Sequence, residues 1–448
     1  MTQNAARRRL GILATPVRWV GLVVRGLLGP PARAVRGTAR RVRDPARQVV
    51  DYWASERVTM KQGFVAVCIA ALTSLVAGLV LAGMRHRIED VPGLFILIPV
   101  SIGMRGNIFG ALSARLGTSI HSGLFEVSRN KNGLLYQNVT SAILLTLATS
   151  VAMGAMARAI AWLLHIETVS LWDLVTVSLL GGILSSIVVL AVTIVISVTS
   201  YQRGWDLDSV GAPLITAIGD VVTLPSILAA SYLVGIDLVT PVLGVVSVVV
   251  GVAALALGWR TGRAVARRIV RQSFPVLCIA IVLDVLAGTV VEPRTSAIFL
   301  PLPALLIILP GFLENTGALG GILAARLGSK LHLGAISARA RPDAAALLDF
   351  TIVLVLGVTV YAISALSTLG IAELFDQAYP GAIRFVALIM FGGMLATLVA
   401  AFIGYYAAVL SHRFGFDPDN HTIPLVTSGM DLLGVICLVV ALVVFGVA

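Results

Sequence analysis

The chain has 448 residues, 58% of them hydrophobic and 12% charged, with a formal net charge of +11 and a mean hydropathy of +0.97. Soluble proteins carry about 25% charged residues, so the composition excludes a set of soluble domains and predicts an all-α polytopic membrane protein. The three cysteines and six histidines are scattered and lack metal-ligand spacing, which excludes a disulfide framework and a zinc site.

In chain order, residues 1–61 form a basic arm. The first 63 residues hold thirteen Arg or Lys against Asp44, Asp51 and Glu56. A basic segment that leads directly into an apolar run reads as a cytoplasmic arm facing anionic lipids, not as a nucleic-acid binder. Its stretch LGILATPVRWVGLVVRGLLG is expected to lie in the interface as a short amphipathic helix. Arg18 and Arg25 break the apolar core that a signal peptide would need.

Eleven apolar runs follow, each about the 20 residues that a helix needs to cross the hydrocarbon. They lie at 62–84, 94–113, 132–157, 174–202, 211–234, 238–259, 272–291, 297–325, 350–372, 385–412 and 422–447. Loops at 115–136, 201–208, 260–271 and 326–343 carry the Arg and Lys, while the loops between them are neutral or acidic. The positive-inside rule then predicts a multi-pass protein of the cell membrane, with its N-terminus in the cytoplasm and its C-terminus outside.

The chain repeats itself. Asp206, Asp208, Pro213, Leu214, Thr216 and Asp220 recur 211 positions later as Asp417, Asp419, Pro424, Leu425, Thr427 and Asp431. PVSIGMRGNIFGALSARLGTSIHSG aligns at the same offset with PGFLENTGALGGILAARLGSKLHLG, and CIAALTSLVAG aligns with CIAIVLDVLAG at an offset of 210. Two five-helix units are therefore expected, at 62–235 and 272–448, joined by an extra helix and basic loop at 236–271. The extra span returns the chain to its starting side, so both units enter the membrane in the same direction. They should be related by a pseudo-twofold axis along the membrane normal.

Residues three and four apart share a helix face, which places Thr216 with Asp220 and Thr427 with Asp431. A bare carboxylate inside a membrane costs several kcal/mol (about 2.5–3.5 on insertion scales), so such acids normally face a watery cavity or an ion. Two of them across an axis describe a cation path. Pro99 and Pro310, followed by Gly106 and Gly317, are expected to kink or break their helices and turn carbonyls inward at a constriction. There Asn107 offers an amide oxygen. Hard oxygen donors suit Mg²⁺, held with its waters because it sheds them reluctantly.

The segments PVSIGMRGN, SARLGT and the doubled acidic motif resemble those of the MgtE-type magnesium transporters, closest to the fused two-unit solute-carrier relatives known from animals. The resemblance covers about residue 62 to the C-terminus. It implies that Asp220 and Asp431 line the pore at a hydrated Mg²⁺ and that Asn107 takes the role of the motif asparagine. It also implies a functional monomer that is a pseudo-dimer in one chain. The cytosolic regulatory domains of the bacterial members have no counterpart here, and Ala318 stands where the second unit should have Asn, with Asn315 nearby.

Arg105 and Glu314 are expected to approach across the axis and neutralise each other as a gate. Asp284, which replaces Ser74 of the first unit, is a candidate coupling-ion site. Asp206, Asp208, Asp417 and Asp419 are expected at the cytoplasmic mouth, where they attract cations or cap helices. A Na⁺- or H⁺-coupled divalent cation exporter is the alternative within transport. An intramembrane aspartyl protease is disfavoured because Ala217 replaces the first Gly of its G-x-G-D motif, and its Pro-Ala-Leu element (Pro303 to Leu305) precedes Asp431. A non-transporting scaffold leaves the doubled acids unexplained.

Overall fold

The structure is a computed structural model and describes residues 43–127, 130–203, 207–415 and 422–447. The arm up to residue 42, together with Asp206, Asp417 and Asp419, lies outside the described residues, as does the side chain of Asp208. All regular elements among the described residues are helices.

A short helix α1 (Arg43–Ser55) leads into α2 (Arg57–Gly83), and a single-turn-and-a-half helix α3 (Arg85–Asp90) follows. Helix α4 (Leu94–Arg105) runs through a π-helical turn at Gly106–Gly110 into α5 (Ala111–His121). Then come α6 (Leu134–Leu163), α7 (Leu171–Arg203), α8 (Leu207–Ser231) and the connecting α9 (Val239–Arg260). The second half holds α10 (Ala264–Val291), α11 (Pro303–His332), α12 (Ala344–Leu374), α13 (Ala382–Phe414) and α14 (Ile423–Val444). Each of the eleven expected crossings has its helix. Among the described residues ten are long and apolar enough to span a membrane.

Local signals explain several ends. Ser170 and Asp173 cap one another at the start of α7, with the Ser170 N–H donating to Asp173 Oδ2 at 3.1 Å and the Asp173 N–H to Ser170 Oγ at 3.2 Å. Asp343 caps α12 by accepting the Ala346 N–H at 2.9 Å. Gly415 closes α13 in the left-handed conformation (φ 65°) that glycine adopts without strain.

The expected breaks at Pro99 and Pro310 do not occur. Both prolines lie inside helices, and the second unit's helix runs uninterrupted from Pro303 to His332. The helical hydrogen bonds on either side keep the backbone wound. Only the first unit departs from α geometry here, through the π turn that carries Asn107. Such a turn adds a residue to one helical turn and re-aims the side chains on it.

The halves interlock. Helix α2 packs on α11 and α12 of the other half as well as on α8 of its own, and α10 packs on α4 and α6 as well as on α14. The crossing points are equivalent in sequence. A Cβ on Gly78 would stand 1.8 Å from the Ile307 carbonyl oxygen, and one on Gly288 would stand 2.7 Å from the Ile96 backbone. Gly78 aligns with Gly288, and Ile96 with Ile307, so one backbone-to-backbone contact is made twice around a pseudo-twofold axis. The unmatched helix α9 packs on the outside of α6 and α7.

Candidate functional site

Where the halves meet lies a cavity of about 380 Å³. Helices α4 and α5 with the π turn contribute Pro99, Gly103, Gly106 and Asn107, and α8 contributes Thr216 and Asp220. Their partners from the second half are Pro310, Glu314, Gly317 and Ala318 on α11, and Pro424, Thr427 and Asp431 on α14. The cavity thus collects Asp220, Asp431, Asn107, Thr216, Thr427, Gly106, Gly317 and Glu314 in one place. No Lys, Arg or His lines it.

Asp220 is 1% exposed, and neither of its carboxylate oxygens has a hydrogen-bond partner. Its charged neighbours are the carboxyls of Glu314 and Asp431. A buried carboxylate left without donors or a counter-charge is unstable in a low-dielectric interior. Asn107 joins the two halves across the cavity. Its Nδ2 donates to Ser428 Oγ at 3.3 Å, and its Oδ1 accepts from Thr427 Oγ1 at 3.1 Å. The second half has Ala318 at the matching position, so this bridge is made once.

Three predicted residues lie elsewhere. Arg105 is 1% exposed and turns away from the cavity into its own unit. It donates to the Gly182 carbonyl at 3.2 Å, to Ser150 Oγ at 3.4 Å and to Ser186 Oγ. The expected ion pair with Glu314 is therefore absent. The reason is volume. Gly182 and Ser150 leave room that the guanidinium fills, whereas in the second unit the matching Tyr361 ring fills it, packed on Gly393. Asn315 likewise faces away, donating through Nδ2 to Ser364 Oγ at 3.1 Å.

Asp284 is fully buried and has no hydrogen-bond partner on either oxygen. It does not line the cavity itself but abuts it. A Cβ on Gly103 would meet Asp284 Oδ2 at 2.7 Å and Asp431 Oδ2 at 3.4 Å. Glu314 in turn accepts a hydrogen bond from Ser74 Oγ. Ser74 and Gly103 were not singled out as site residues in the sequence. The signal was present, because Ser74 aligns with Asp284 and Gly103 with Glu314.

Among the described residues no three of His, Cys, Asp and Glu converge as a direct metal-ligand set. The donors present are carboxylate, hydroxyl and amide oxygens around a roomy cavity, which fits a hard ion that keeps its water.

A second polar cluster, not foreseen, sits at the far end of α11. Asp349 is fully buried and receives Arg326 Nη2 at 2.9 Å and Lys330 Nζ at 2.7 Å. Tyr52 on α1 donates to the same carboxylate and accepts from Lys330 Nζ at 2.8 Å and Arg326 Nη2 at 3.1 Å. Glu56 adds a contact to Arg326 at 3.2 Å, and Trp53 Nε1 donates to Thr351 Oγ1 at 2.9 Å. Burial and the neighbouring carboxylate hold the Tyr52 phenol above its ordinary pKa, so it stays a donor. Together these bonds fasten α1 to the second half.

The MgtE family model, described as a divalent cation transporter, matches the chain twice, at residues 98–230 and 309–441. The chain is 21% identical over 412 residues to solute carrier family 41 member 3 of Rattus norvegicus, covering 84% of this chain and 85% of the relative. It is 25% identical over 408 residues to solute carrier family 41 member 2 of Homo sapiens, covering 85% and 69%. No solved structure matches.

Proposed function

Because the chain belongs to the MgtE family of divalent cation transporters, we propose that the cavity between its halves is the path of the transported ion, and that this ion is Mg²⁺. One observation carries the reading. Asp220 stands buried in the cavity wall with both oxygens unpartnered and Asp431 facing it. Each half supplies one acid, so a single chain contains the whole site and works as a monomer.

The residues divide the work. Asp220 and Asp431 attract the ion and offset its loss of bulk water. Asn107, Thr216 and Thr427 present neutral oxygens to its hydration shell. Gly106 and Gly317 keep the wall low, because a Cβ at either would reach Thr216 or Thr427 at 3.6–3.7 Å. Mg²⁺ surrenders water slowly and demands octahedral geometry at about 2.0–2.1 Å, so a wide acidic cavity is better matched to the hydrated ion than to the bare one.

The basic loops put the N-terminus and the α11–α12 connection in the cytoplasm of a cell membrane, with the C-terminus outside. The cavity lining extends through Ala114, Gly321 and Ile423 toward that cytoplasmic end. At the other end Leu94 to Leu97 and Leu305 to Ile308 are buried and seal it. The basic arm faces anionic lipids on the same side, at a gain of about 1 kcal/mol per Lys or Arg near the surface.

The test is Mg²⁺ flux into proteoliposomes under an imposed potential, read by an internal dye. Asp220→Asn and Asp431→Asn should each lower flux at least about tenfold, the equivalent of about 1.4 kcal/mol in the barrier. Wild-type flux in both variants would overturn the reading.

A further inference from the structure

The cavity is more acidic than the repeat alone requires, and the surplus is arranged by the pseudo-symmetry. Three positions meet on each side of the axis, one each from the last, second and first helices of the repeat. On one side they are Asp220, Glu314 and Ser74. On the other they are Asp431, Gly103 and Asp284. Each side therefore has two carboxyls and one small residue. The second acid changes helix between the two sides, standing on α11 in one and on α10 in the other.

We propose that the cavity binds two divalent cations at once, one at the Asp220–Glu314 pair and one at the Asp431–Asp284 pair. The proposal rests on the reading above that the cavity takes hard divalent ions. Asp220 and Asp284 are 1% and 0% exposed, and none of their four oxygens has a hydrogen-bond partner. Three carboxylates, Asp220, Glu314 and Asp431, line a cavity with no cationic side chain in its lining, and Asp284 abuts it behind Gly103. With all four ionised, one divalent ion would leave two of them uncompensated inside a membrane, which proteins avoid. Two divalent ions bring the formal sum to zero.

The donors agree with this class of ion. Each locus offers a carboxyl pair and a nearby hydroxyl, Ser74 at one and Ser428 at the other. Hard oxygen donors select Mg²⁺, Ca²⁺ or Mn²⁺. Water completes each shell, since no three acids form a direct ligand set among the described residues. A volume of about 380 Å³ has room for about a dozen waters at ~30 Å³ each, the equivalent of two octahedral aquo shells. Two ions side by side repel one another, and that repulsion lets a strongly acidic site release its cargo.

Mn²⁺ binding to the purified full chain in detergent decides the matter, with stoichiometry from equilibrium dialysis and line shape from electron paramagnetic resonance. Wild type should bind two Mn²⁺ per chain with spin–spin broadening, and excess Mg²⁺ should displace both. Glu314→Gln and Asp284→Asn should each bind one Mn²⁺ without broadening. One Mn²⁺ per wild-type chain, or loss of both ions from either variant, would overturn the proposal and leave the transport reading standing. No Mn²⁺ on folded wild type would overturn both. The wild-type count needs no variant, so a misfolded mutant cannot obscure the result.

Discussion

Two buried charged groups in this chain, Arg105 and Asp349, are stabilised by opposite means, and each predicts its own mutant. Arg105 has no carboxylate partner, and its Nε is unsatisfied. Its bonds go to a helix carbonyl and two serine hydroxyls. Apolar groups of similar volume often replace buried charges at no loss, or with a gain of about 1–4 kcal/mol. Arg105→Met should therefore leave the melting temperature in detergent unchanged or raise it. Combined with Glu314→Gln, it should act additively on flux within about 0.5 kcal/mol, since the two side chains share no partner. A larger coupling would revive the gate expected from the sequence. Asp349 is the converse case, because it neutralises both Arg326 and Lys330. Breaking a buried ion pair from one side costs about 3–5 kcal/mol, so Asp349→Asn should lower the thermal midpoint clearly. It should also speed hydrogen exchange in α1. At the matching position of the first unit the uncharged Asn138 replaces the carboxylate and accepts from Arg115 Nε at 2.9 Å.

Between helices, the controlling contacts are made by backbone. Gly78 and Gly288 let α2 and α10 cross into the opposite half at distances that no side chain permits. Overpacking a tight contact costs about 1–3 kcal/mol and occasionally more. Gly78→Val and Gly288→Val should each reach the top of that range, seen as lost monodispersity and a lowered melting point. Gly83→Val on the same helix is the control, with nothing within 4 Å of its Cβ position. These glycines show what was legible in the sequence. Gly78 and Gly288 appear in the aligned segments CIAALTSLVAG and CIAIVLDVLAG, so their equivalence was visible. Their partners were not, because the packing of each first helix against the opposite half leaves no trace in hydropathy. Span positions followed directly from apolar length. The helices are not broken at Pro99 and Pro310, because a proline removes one hydrogen bond while the many others along a long buried helix keep it wound.

Across the whole molecule, the repeat located the acids, but only packing could sort the other charged groups near them. Arg105 and Glu314 lie almost at the same repeat position, yet the void beside Gly182 draws one away while Ser74 holds the other in the cavity. The asymmetry extends to the two ends of the cavity. The end near Ile423 is open enough to leave that side chain 37% exposed, whereas Leu305 is fully buried at the opposite end. His332 and His412, 5.0 Å apart between ring centroids, tie the ends of α11 and α13 together on the open side. Leu333 and Ile423 therefore share a side, while Leu374 lies at the other end of α12. In a background without Cys68, Cys278 and Cys437, Leu333→Cys and Ile423→Cys should react with a membrane-impermeant thiol reagent added on the cytoplasmic side. Leu374→Cys should react only from outside, and Leu305→Cys from neither side. Saturating Mg²⁺ should slow the reaction of Ile423→Cys, at the cavity, and leave Leu333→Cys unchanged. Labelling of Ile423→Cys from the side that labels Leu374→Cys would mean that the cavity opens outward, away from the side of the basic loops.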